Sequence, residues 1–451
     1  MKQLLIFFLY ASFSLLFISC KKDFLEAKRN KAMVVPQTLQ DLQALLDNTQ
    51  IMNTRMPSLG ELGSDDYYLP YNTWLTYSTV RFRNAYIWAP DLYQGDQQVT
   101  EWDYRYQQIF YANSALEGIQ KIIPDVSNQD QWNNIKGSAL FFRSYAYYQL
   151  IQLFCKPYDS ATAATESGIP LRFSTNINTP VFRSSIADTY NEMIAGFQQA
   201  IPLLPTTPLV KTRPSKAAAY AMLGKTYLLM AKFNKALQMA DSCLSLYNTL
   251  LDYNSLNAAA SFPLTRFNKE VIFHSVLFGD GLATRLTVDS LLYGSYQTND
   301  WRKSVFYKLS SGRVSYKGSY DGSNTFFNGI ATDEIFLIQA ECHARLGNLS
   351  AALDAINTLL QKRYKTGQFT PITATSADEA LPIIIAERRK ELVFRGIRWS
   401  DLRRYNLLGA NITLKRILNN DTYLLPPNDN RYVLPIPDAV IQLSGIPQNP
   451  R

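Results

Sequence analysis

Apolar residues recur at helical spacing along much of this chain of 451 residues, which predicts a mainly α-helical fold. The pattern predicts a short helix over 38–46, a helix that begins near Trp102, and a longer helix over Trp132–Phe154. The apolar stripe of the longer helix consists of Ala139, Phe142, Ala146, Leu150 and Leu153. Trp102 lies on the stripe of its own helix, so we expect its ring in the core.

Two later segments have the residue spacing of a tetratricopeptide repeat, in which small residues let two paired helices approach closely. The first segment contains Leu223, Gly224, Tyr227, Ala236 and Ala240, and the second contains Ala340, His343, Gly347 and Ala352. The separation of the two segments is not a whole number of repeats of about 34 residues, so we expect an insertion between them. The pattern predicts a scaffold of tetratricopeptide-like helical hairpins over about 99–249 and 332–405.

Regular spacing is lost over 53–98 and over 250–331. The first stretch is rich in tyrosine and tryptophan and is interrupted by glycine and proline, and loops of this length are usually functional. The second stretch contains one strand-like run, Val271–Phe278, followed by segments rich in glycine, serine and tyrosine. We therefore predict a loop-rich ligand lobe with a few short strands, laid across the helical scaffold in a single domain over 37–451.

The N-terminus has the pattern of a bacterial lipoprotein precursor. One early lysine precedes an apolar run from Leu4 to Ile18 that is too short to span a bilayer comfortably, and Cys20 then follows a small residue. These features predict a signal peptide over 1–19, lipidation of Cys20, and a lipid-anchored tether over 20–36. An ordinary secretory signal with an incidental cysteine is the alternative.

Composition and motifs argue against several classes of function. The net charge is +8, but basic and acidic residues are interleaved and no nucleic-acid-binding motif is present, so we predict no nucleic-acid partner.

Cys155, Cys243 and Cys342 have neither disulfide nor metal spacing, and we expect buried free thiols. Gly224–Thr226 ends like a phosphate loop but lacks the first glycine, and no HExxH or GxSxG motif occurs. We predict no cofactor, no metal and no catalysis.

The segment around 65–93 contains the residue types that sugar recognition needs. Sugars present flat C–H faces and rings of hydroxyls, so a binding site combines aromatic platforms with charged or amide groups. The predicted ligand-binding residues are the aromatic Tyr71, Trp74, Tyr77 and Trp88 and the polar Asp66, Asn72 and Arg81. For any one of the aromatic residues, burial beneath the loop is the alternative, and for Trp301 we expect a core position.

Asp65 and Asp66 are the only adjacent acidic pair beside the aromatic-rich loop. A glycosidase needs two carboxylates that face each other across a cleft, whereas the side chains of neighbouring residues usually diverge. The pair is therefore a poor candidate for catalysis and a better one for accepting hydrogen bonds from sugar hydroxyls.

The most charged run of the chain is AERRKELVFRGIRWSDLRRY, over 386–405. Apolar and small residues at steps of three and four predict a single helical stripe, with Trp399 near its end. Acidic and basic side chains within helical reach of one another predict ion pairs inside this helix. The residues concerned are Glu387, Glu391, Lys390, Arg395 and Arg398. We interpret the run as a structural helix with Trp399 and Leu392 in the core.

This run resembles the signature ERRRELAFEGHRWFDLRR of the SusD/RagB family, the surface glycan-binding lipoproteins of Bacteroidetes-type bacteria. Arg395 and Ile397 depart from the usual glutamate and histidine. Further similarity to family motifs occurs in the paired helices at 101–154, the Asp-x-Arg frame at 300–302, the run at 333–341, and the C-terminus, which lacks the family's last Gly-Tyr.

The resemblance implies a lipoprotein of the outer membrane, exposed at the cell surface, that captures oligosaccharide or polysaccharide for nutrient uptake. It also implies a partner, a TonB-dependent transporter of the SusC type that receives the glycan, and no catalytic step. Part of the family is thought to serve peptide importers, so an oligopeptide-binding lipoprotein of a RagB-like system is the alternative. A helical carbohydrate-active enzyme is a third hypothesis.

Overall fold

Long helices packed in pairs form the scaffold of this fold, and shorter helices and strands occupy the connections. The computed structural model describes residues 36–96, 98–279 and 281–451, and Leu39–Arg451 forms one compact unit. The predicted signal peptide, Cys20 and the tether as far as residue 35 lie outside the described residues. None of the helices in the described residues is long and apolar enough to cross a membrane.

The described residues form eighteen α-helices: α1 (Leu39–Leu46), α2 (Thr49–Met52), α3 (Leu59–Gly63), α4 (Tyr71–Leu75), α5 (Val80–Tyr86), α6 (Thr100–Ile119), α7 (Gln129–Phe154), α8 (Ile186–Ala200), α9 (Lys216–Leu229), α10 (Phe233–Leu246), α11 (Leu282–Arg285), α12 (Ser290–Gly294), α13 (Arg302–Val305), α14 (Thr332–Arg345), α15 (Leu349–Leu360), α16 (Ala377–Glu391), α17 (Arg398–Leu407) and α18 (Asp438–Ser444). Serine side chains at 185, 215 and 376 cap α8, α9 and α16 by accepting a hydrogen bond from a backbone N–H of the first turn.

The strands are short, and those of the described residues are β1 (Tyr67–Tyr68), β2 (Ser167–Pro170), β3 (Arg183–Ser185), β4 (Val271–Phe273), β5 (Thr287–Val288), β6 (Tyr307–Ser310), β7 (Arg313–Tyr316), β8 (Ile330–Ala331), β9 (Leu414–Leu418) and β10 (Asp421–Leu425). They pair as antiparallel two-stranded sheets, β1 with β5, β2 with β3, β4 with β8, β6 with β7 and β9 with β10. The prediction of a mainly α-helical fold with a few short strands is confirmed.

The predicted helical hairpins are present. α6 packs on α7, α9 on α10, and α14 on α15. A Cβ atom added at Gly224 in α9 would lie 3.6 Å from the Ala236 carbonyl oxygen and 3.6 Å from the Ala240 nitrogen, so only small residues allow this approach. α10 also packs directly on α14, so the insertion over 250–331 leaves the scaffold and rejoins it at neighbouring helices.

Short strands join the two stretches that the sequence assigns to the loop-rich lobe. In the β1–β5 pair, Tyr67 lies opposite Val288 and Tyr68 opposite Thr287, and a bridge between Met56 and Leu277 adds a second connection. The stretch over 53–98 is more regular than predicted, because it contains α3, α4 and α5. These helices have five to seven residues, too few to produce a recognisable period.

The predicted single helix over 386–405 is in fact two helices. α16 ends at Glu391 and α17 begins at Arg398, and between them Phe394 and Gly396 have φ angles of 57° and 70°. The three consecutive apolar residues after Glu391 are all buried, whereas a continuing helix would turn one of them towards another face. The prediction of one helix is wrong because apolar and small residues continue at steps of three and four through this turn. The sequence pattern therefore does not reveal where the first helix ends.

The ionic groups of this region pair mainly with distant parts of the chain, which the sequence did not predict. Lys390 does pair with Glu387. Glu391, however, accepts hydrogen bonds from Arg302 at 3.1 Å and from Arg363 at 2.7 Å. The prediction of ion pairs within one helix is therefore largely wrong, since the partners of Glu391 come from other segments.

A buried ion-pair network connects α16 and the turn after it to the lobe. It consists of Glu270, Asp300, Arg302, Arg363, Glu387 and Glu391. The Tyr320 hydroxyl contacts both Glu270 and Asp333, and so links the network to the ion pair of Asp333 with Arg395. Arg302 and Arg363 are fully buried, and although burial opposes it, the neighbouring carboxylates raise the pKa of both guanidinium groups well above the usual value. Buried charges of this kind are tolerated only when each has a partner, so the network fixes the positions of the segments that supply it.

Trp399 lies in the core, as predicted, with 3% of its surface exposed. Its ring centroid is 4.8 Å from that of Tyr432. On another side it contacts α3, where a Cβ atom added at Gly63 would lie 2.8 Å from the indole ring and one at Gly60 would lie 3.2 Å from the Trp399 Cβ atom. α3 can therefore approach this tryptophan because two of its residues are glycine. Leu392 and Trp102 are also buried, as predicted, whereas Trp301, for which a core position was expected, is only half-buried.

We predict that Trp399→Ala lowers the free energy of unfolding by about 3–5 kcal/mol, because a large buried aromatic side chain is removed from a tightly packed site. Equilibrium denaturation by urea measures the change. Trp132→Ala, at a half-buried position in α7, is the matched control and should cost less. A stable Trp399→Ala protein that had lost only ligand binding would contradict the structural role.

Candidate ligand-binding site

The short helix α4 presents side chains to solvent, and none of its residues is buried. Tyr71 is 40% exposed, Asn72 is exposed and Trp74 is half-buried. The indole N–H of Trp74 donates a hydrogen bond to the Arg83 carbonyl oxygen at 3.0 Å, which holds the ring in place. The Tyr71 and Trp74 rings are 6.0 Å apart between centroids and inclined at 31°. Together they form an open pair of aromatic rings, of which the Trp74 ring is held in place.

Two tyrosines outside the predicted set extend this pair. Tyr68 is 47% exposed because β1 alternates, with Tyr67 turned into the core. Tyr423 in β10 is half-buried, and burial together with the nearby Asp421 and Tyr71 raises its pKa. We call Tyr68, Tyr71, Asn72, Trp74 and Tyr423 the aromatic surface. The sequence does not indicate which of the adjacent Tyr67 and Tyr68 is exposed, and Tyr423 is distant from this segment in the sequence.

A groove of about 240 Å³ opens beside Tyr68. Its lining includes Asp65, Asp289, Leu291, Arg389, Lys415 and Ile417. We call it the Tyr68 groove. It combines an aromatic ring and apolar side chains with carboxylate and cationic groups, so one wall can stack on a flat ring while others exchange hydrogen bonds with polar substituents.

Two of the predicted aromatic platforms lie inside the protein, which corrects that part of the prediction. Trp88 is 3% exposed, and its indole N–H donates to the Gly63 carbonyl oxygen at 3.0 Å. Tyr77 is 2% exposed, and the Arg285 guanidinium lies 4.5 Å from its ring centroid. Both rings are covered by the protein because α5 and the turns beside it fold onto the core. Residue type alone could not distinguish them from Tyr71 and Trp74.

The predicted polar contacts Asp66 and Arg81 are also buried and engaged within the protein. Asp66 accepts a hydrogen bond from Arg389 at 2.8 Å, and burial raises the pKa of its carboxyl group. Arg81 forms an ion pair with Asp96. These groups position the lobe and are not directed at a ligand, which leaves Tyr71, Asn72 and Trp74 as the predicted residues that face solvent.

Asp65 fixes the wall of the Tyr68 groove to α17. It accepts two hydrogen bonds from Arg398, at 2.6 and 2.9 Å, and lies 3.3 Å from Arg389. Although burial opposes it, Arg398 and then Arg389 hold the pKa of Asp65 well below its usual range. The charged run over 386–405 therefore supplies the arginines that orient the acidic residues at the edge of the site.

The geometry of the acidic pair supports binding better than catalysis. A glycosidase needs two carboxyl groups that flank the scissile bond across a cleft, whereas Asp65 lines the Tyr68 groove and Asp66 is buried behind it. Among the described residues there is no group of three or more His, Cys, Asp or Glu side chains that could hold a metal ion. The three cysteines in the described part of the chain are buried free thiols, as predicted, and burial raises the pKa of each to about 12.

Comparisons with known proteins agree with the resemblance found in the sequence. The sequence model of a SusD-like family, described as starch-binding and associating with the outer membrane, matches residues 23–228. The model of the SusD family matches residues 287–451, so the two matches together cover most of the chain.

A SusD-like protein, P2, of Formosa agariphila is 26% identical to this chain over 424 residues, which covers 77% of this chain and 79% of that protein. A SusD superfamily protein from Bacteroides thetaiotaomicron has a similar structure, with a TM-score of 0.73, 20% identity, and coverage of 92% of this chain and 100% of the other. A laminarin-binding SusD-like protein has a TM-score of 0.65, 19% identity, and coverage of 91% and 97%. At these identities the two structural likenesses show a common fold.

We predict that Asp65→Asn destabilises the protein by about 1.5–3 kcal/mol at neutral pH, because two charge-assisted hydrogen bonds to Arg398 are weakened. The folded-state pKa of Asp65 lies below its ordinary value of 3.8, so its contribution is complete above that pH and is lost as the pH falls towards the folded-state pKa. The difference in thermal stability between wild type and variant should therefore shrink below about pH 4.

Thermal denaturation between neutral pH and pH 3 measures this dependence. Asp130→Asn, at an exposed aspartate in the first turn of α7, is the control and should change little. A difference between wild type and Asp65→Asn that stayed constant over this range would contradict the role of the ionised carboxylate.

Proposed function

This chain belongs to the SusD family, and from that premise we propose that it captures oligosaccharide or polysaccharide at the cell surface and passes it to a TonB-dependent transporter of the SusC type. The family is one of carbohydrate-binding proteins that associate with the outer membrane. The proposed role is binding without bond cleavage, and the ligand is released to the transporter unchanged.

The observation that carries the proposal is the exposed aromatic surface beside a polar groove. The C–H face of a sugar ring can stack on Tyr71 and Trp74, and the hydrogen bond from Trp74 to the Arg83 carbonyl oxygen holds the indole ring in position. The Asn72 amide is exposed next to these rings and can both donate to and accept from hydroxyls. Asp289 and Lys415 of the Tyr68 groove offer the charged groups that would orient a longer chain.

The anchor follows from the N-terminal sequence. Lipidation of Cys20 after cleavage of residues 1–19 would attach the mature chain to the outer membrane. A single acyl chain binds a membrane weakly, so stable attachment needs more than one. The polar segment over 20–36 would then separate the folded domain from the lipid surface.

A transporter partner is supported by exposed apolar side chains on one face of the scaffold. Phe173, Ile177 and Phe182, in the loop between β2 and β3, are 53%, 81% and 77% exposed. The loop is fastened along α6, where Asn113 donates to the Arg172 carbonyl oxygen at 2.9 Å and Glu117 accepts from Thr175. Clustered exposed apolar side chains on a rigid support are typical of a protein–protein contact.

We predict that Trp74→Ala weakens glycan binding by about tenfold or more, because it removes one face of the stacking platform. Isothermal titration calorimetry of the mature protein against a panel of neutral polysaccharides and of peptides measures the change. Trp132→Ala is the matched control, since this half-buried tryptophan lies in α7 outside the aromatic surface. Its affinity for glycan should equal that of the wild type.

The same panel separates the alternatives. Peptide binding that is sensitive to Trp74→Ala, with no glycan bound, would favour an oligopeptide-binding protein. Release of sugar from any polysaccharide, lost on Asp66→Asn, would favour the enzyme hypothesis. Unchanged glycan affinity in Trp74→Ala would remove the aromatic surface from the proposal.

We predict that the double variant Phe173→Glu and Ile177→Glu loses co-purification with the transporter and keeps wild-type glycan affinity. Two charges introduced into an apolar contact would have to be buried without partners. The control is Ile123→Glu with Val126→Glu, at two highly exposed apolar residues between α6 and α7. Equal loss in both double variants would show that the loop between β2 and β3 is not the docking surface.

A further inference from the structure

A second and larger concavity lies on another part of the lobe. The segment at 258–262, α12, α13 and the β6–β7 hairpin enclose a cleft of about 840 Å³, which falls in the size range of small-molecule sites. Its lining includes Tyr293, Trp301, Lys303, Lys308, Lys317 and Lys365. We call it the lysine cleft. It shares no lining residue with the Tyr68 groove, so an inference about it goes beyond the proposed function.

The cleft concentrates positive charge without matching acidic groups. The lysine ion pairs of the described residues lie elsewhere, at Lys156, Lys225, Lys362 and Lys390. Among the described residues that line the cleft, the one carboxylate is Asp300, which is buried and accepts hydrogen bonds from Arg302 at 2.7 and 3.0 Å. The four lysines of the cleft are therefore not neutralised by the acidic group beside them.

Two of the four lysines, Lys317 and Lys303, are held in place by backbone carbonyl groups. Lys317 donates hydrogen bonds to the Ala258 and Ala260 carbonyl oxygens at 2.5 and 3.1 Å, and Lys303 donates to the Tyr296 carbonyl oxygen at 3.0 Å. Burial, and then the charge of Lys308, lowers the pKa of Lys317. A bound anion would relieve this repulsion, so the cleft is electrostatically suited to a negatively charged ligand.

Aromatic rings and hydroxyl groups stand between the lysines. The Trp301 indole N–H donates to the Asn254 side-chain oxygen at 2.7 Å, and the Lys365 ammonium lies 5.5 Å from the Trp301 ring centroid. The Lys303 ammonium lies 5.0 Å from the Tyr293 ring centroid. The remaining polar lining includes Thr298, Ser304, Ser315 and Asn324. Rings beside neutral hydrogen-bonding groups suit a saccharide.

We infer that the lysine cleft is a second binding site, which takes a saccharide bearing carboxylate or sulfate groups. The lysines hold the anionic substituents as point charges, and the side chains between them contact the sugar rings and hydroxyls. A lysine ammonium binds an anionic group as a point charge, so lysines at these positions suit single charged groups spaced along a ligand. Saccharides that bear carboxylate or sulfate groups are a narrower ligand class than glycans in general.

The test is titration calorimetry of the mature protein with oligogalacturonate, a carboxylated saccharide, and with sulfated carrageenan oligosaccharides. The variant is Lys308→Gln with Lys365→Gln, because neither ammonium group forms a side-chain hydrogen bond within the described residues and the fold should be retained. The affinity for at least one anionic saccharide should fall by about tenfold or more, as expected for the loss of charge-assisted contacts. Comparison of the two saccharides distinguishes carboxylate from sulfate.

Two controls make the result specific. Lys121→Gln with Lys269→Gln removes the same charge from exposed lysines outside the cleft and should leave affinity unchanged. Trp74→Ala should leave anionic saccharide binding unchanged while it weakens neutral glycan binding, so failure at the cleft and failure of the proposed function give different results. Equal losses in both lysine pairs, or binding of oligoglutamate in place of either saccharide, would overturn the inference.

Discussion

Two fully buried arginines, Arg302 and Arg363, share the carboxylate of Glu391, and this shared contact fixes the centre of the molecule. Removing these charges from water is costly, and the cost is offset only if Asp300, Glu387 and Glu270 complete the arrangement. Loss of Arg302 would leave the buried Asp300 without its ion-pair partner, and loss of Arg363 would do the same to Glu270. Because the members come from segments far apart in sequence, the network requires the whole insertion and the whole scaffold to be in place together.

Both candidate sites depend on this arrangement. At the end of α16 and the beginning of α17, Arg389 and Arg398 reach outward from the same region to Asp66 and Asp65, at the edge of the Tyr68 groove. On the other side, Asp300 contributes both to the network and to the lining of the lysine cleft, next to Trp301. The side chains that would meet a ligand are therefore positioned by ionic contacts in the core, which is why loop-rich segments can present ordered surfaces.

Structural features that depend on local residue spacing can be predicted from the sequence. Features that depend on contacts between residues distant in sequence cannot. The Gly224 and Ala236 spacing predicts the hairpin of α9 and α10, because the small residues are needed at the contact itself. It cannot show that Glu391 pairs with Arg302 and Arg363, since only the folded chain brings them together. The same reason separates Trp74 from Trp88: both are aromatic residues of one segment, but the fold covers Trp88 and leaves Trp74 at the surface.

The different chemistry of arginine and lysine explains why some positive charges stabilise the core while others remain able to bind a ligand. The planar guanidinium makes several directed hydrogen bonds and is weakly hydrated, so Arg302 and Arg363 can be buried among carboxylates. The ammonium group is strongly hydrated, so Lys308 and Lys365 remain at accessible positions. Acidic residues form ion pairs with the arginines in the core. Fewer acidic residues are therefore left to neutralise lysines at the surface. Within the described residues, the fold pairs Arg302 and Arg363 with carboxylates in the core and leaves the lysines of the cleft without acidic partners.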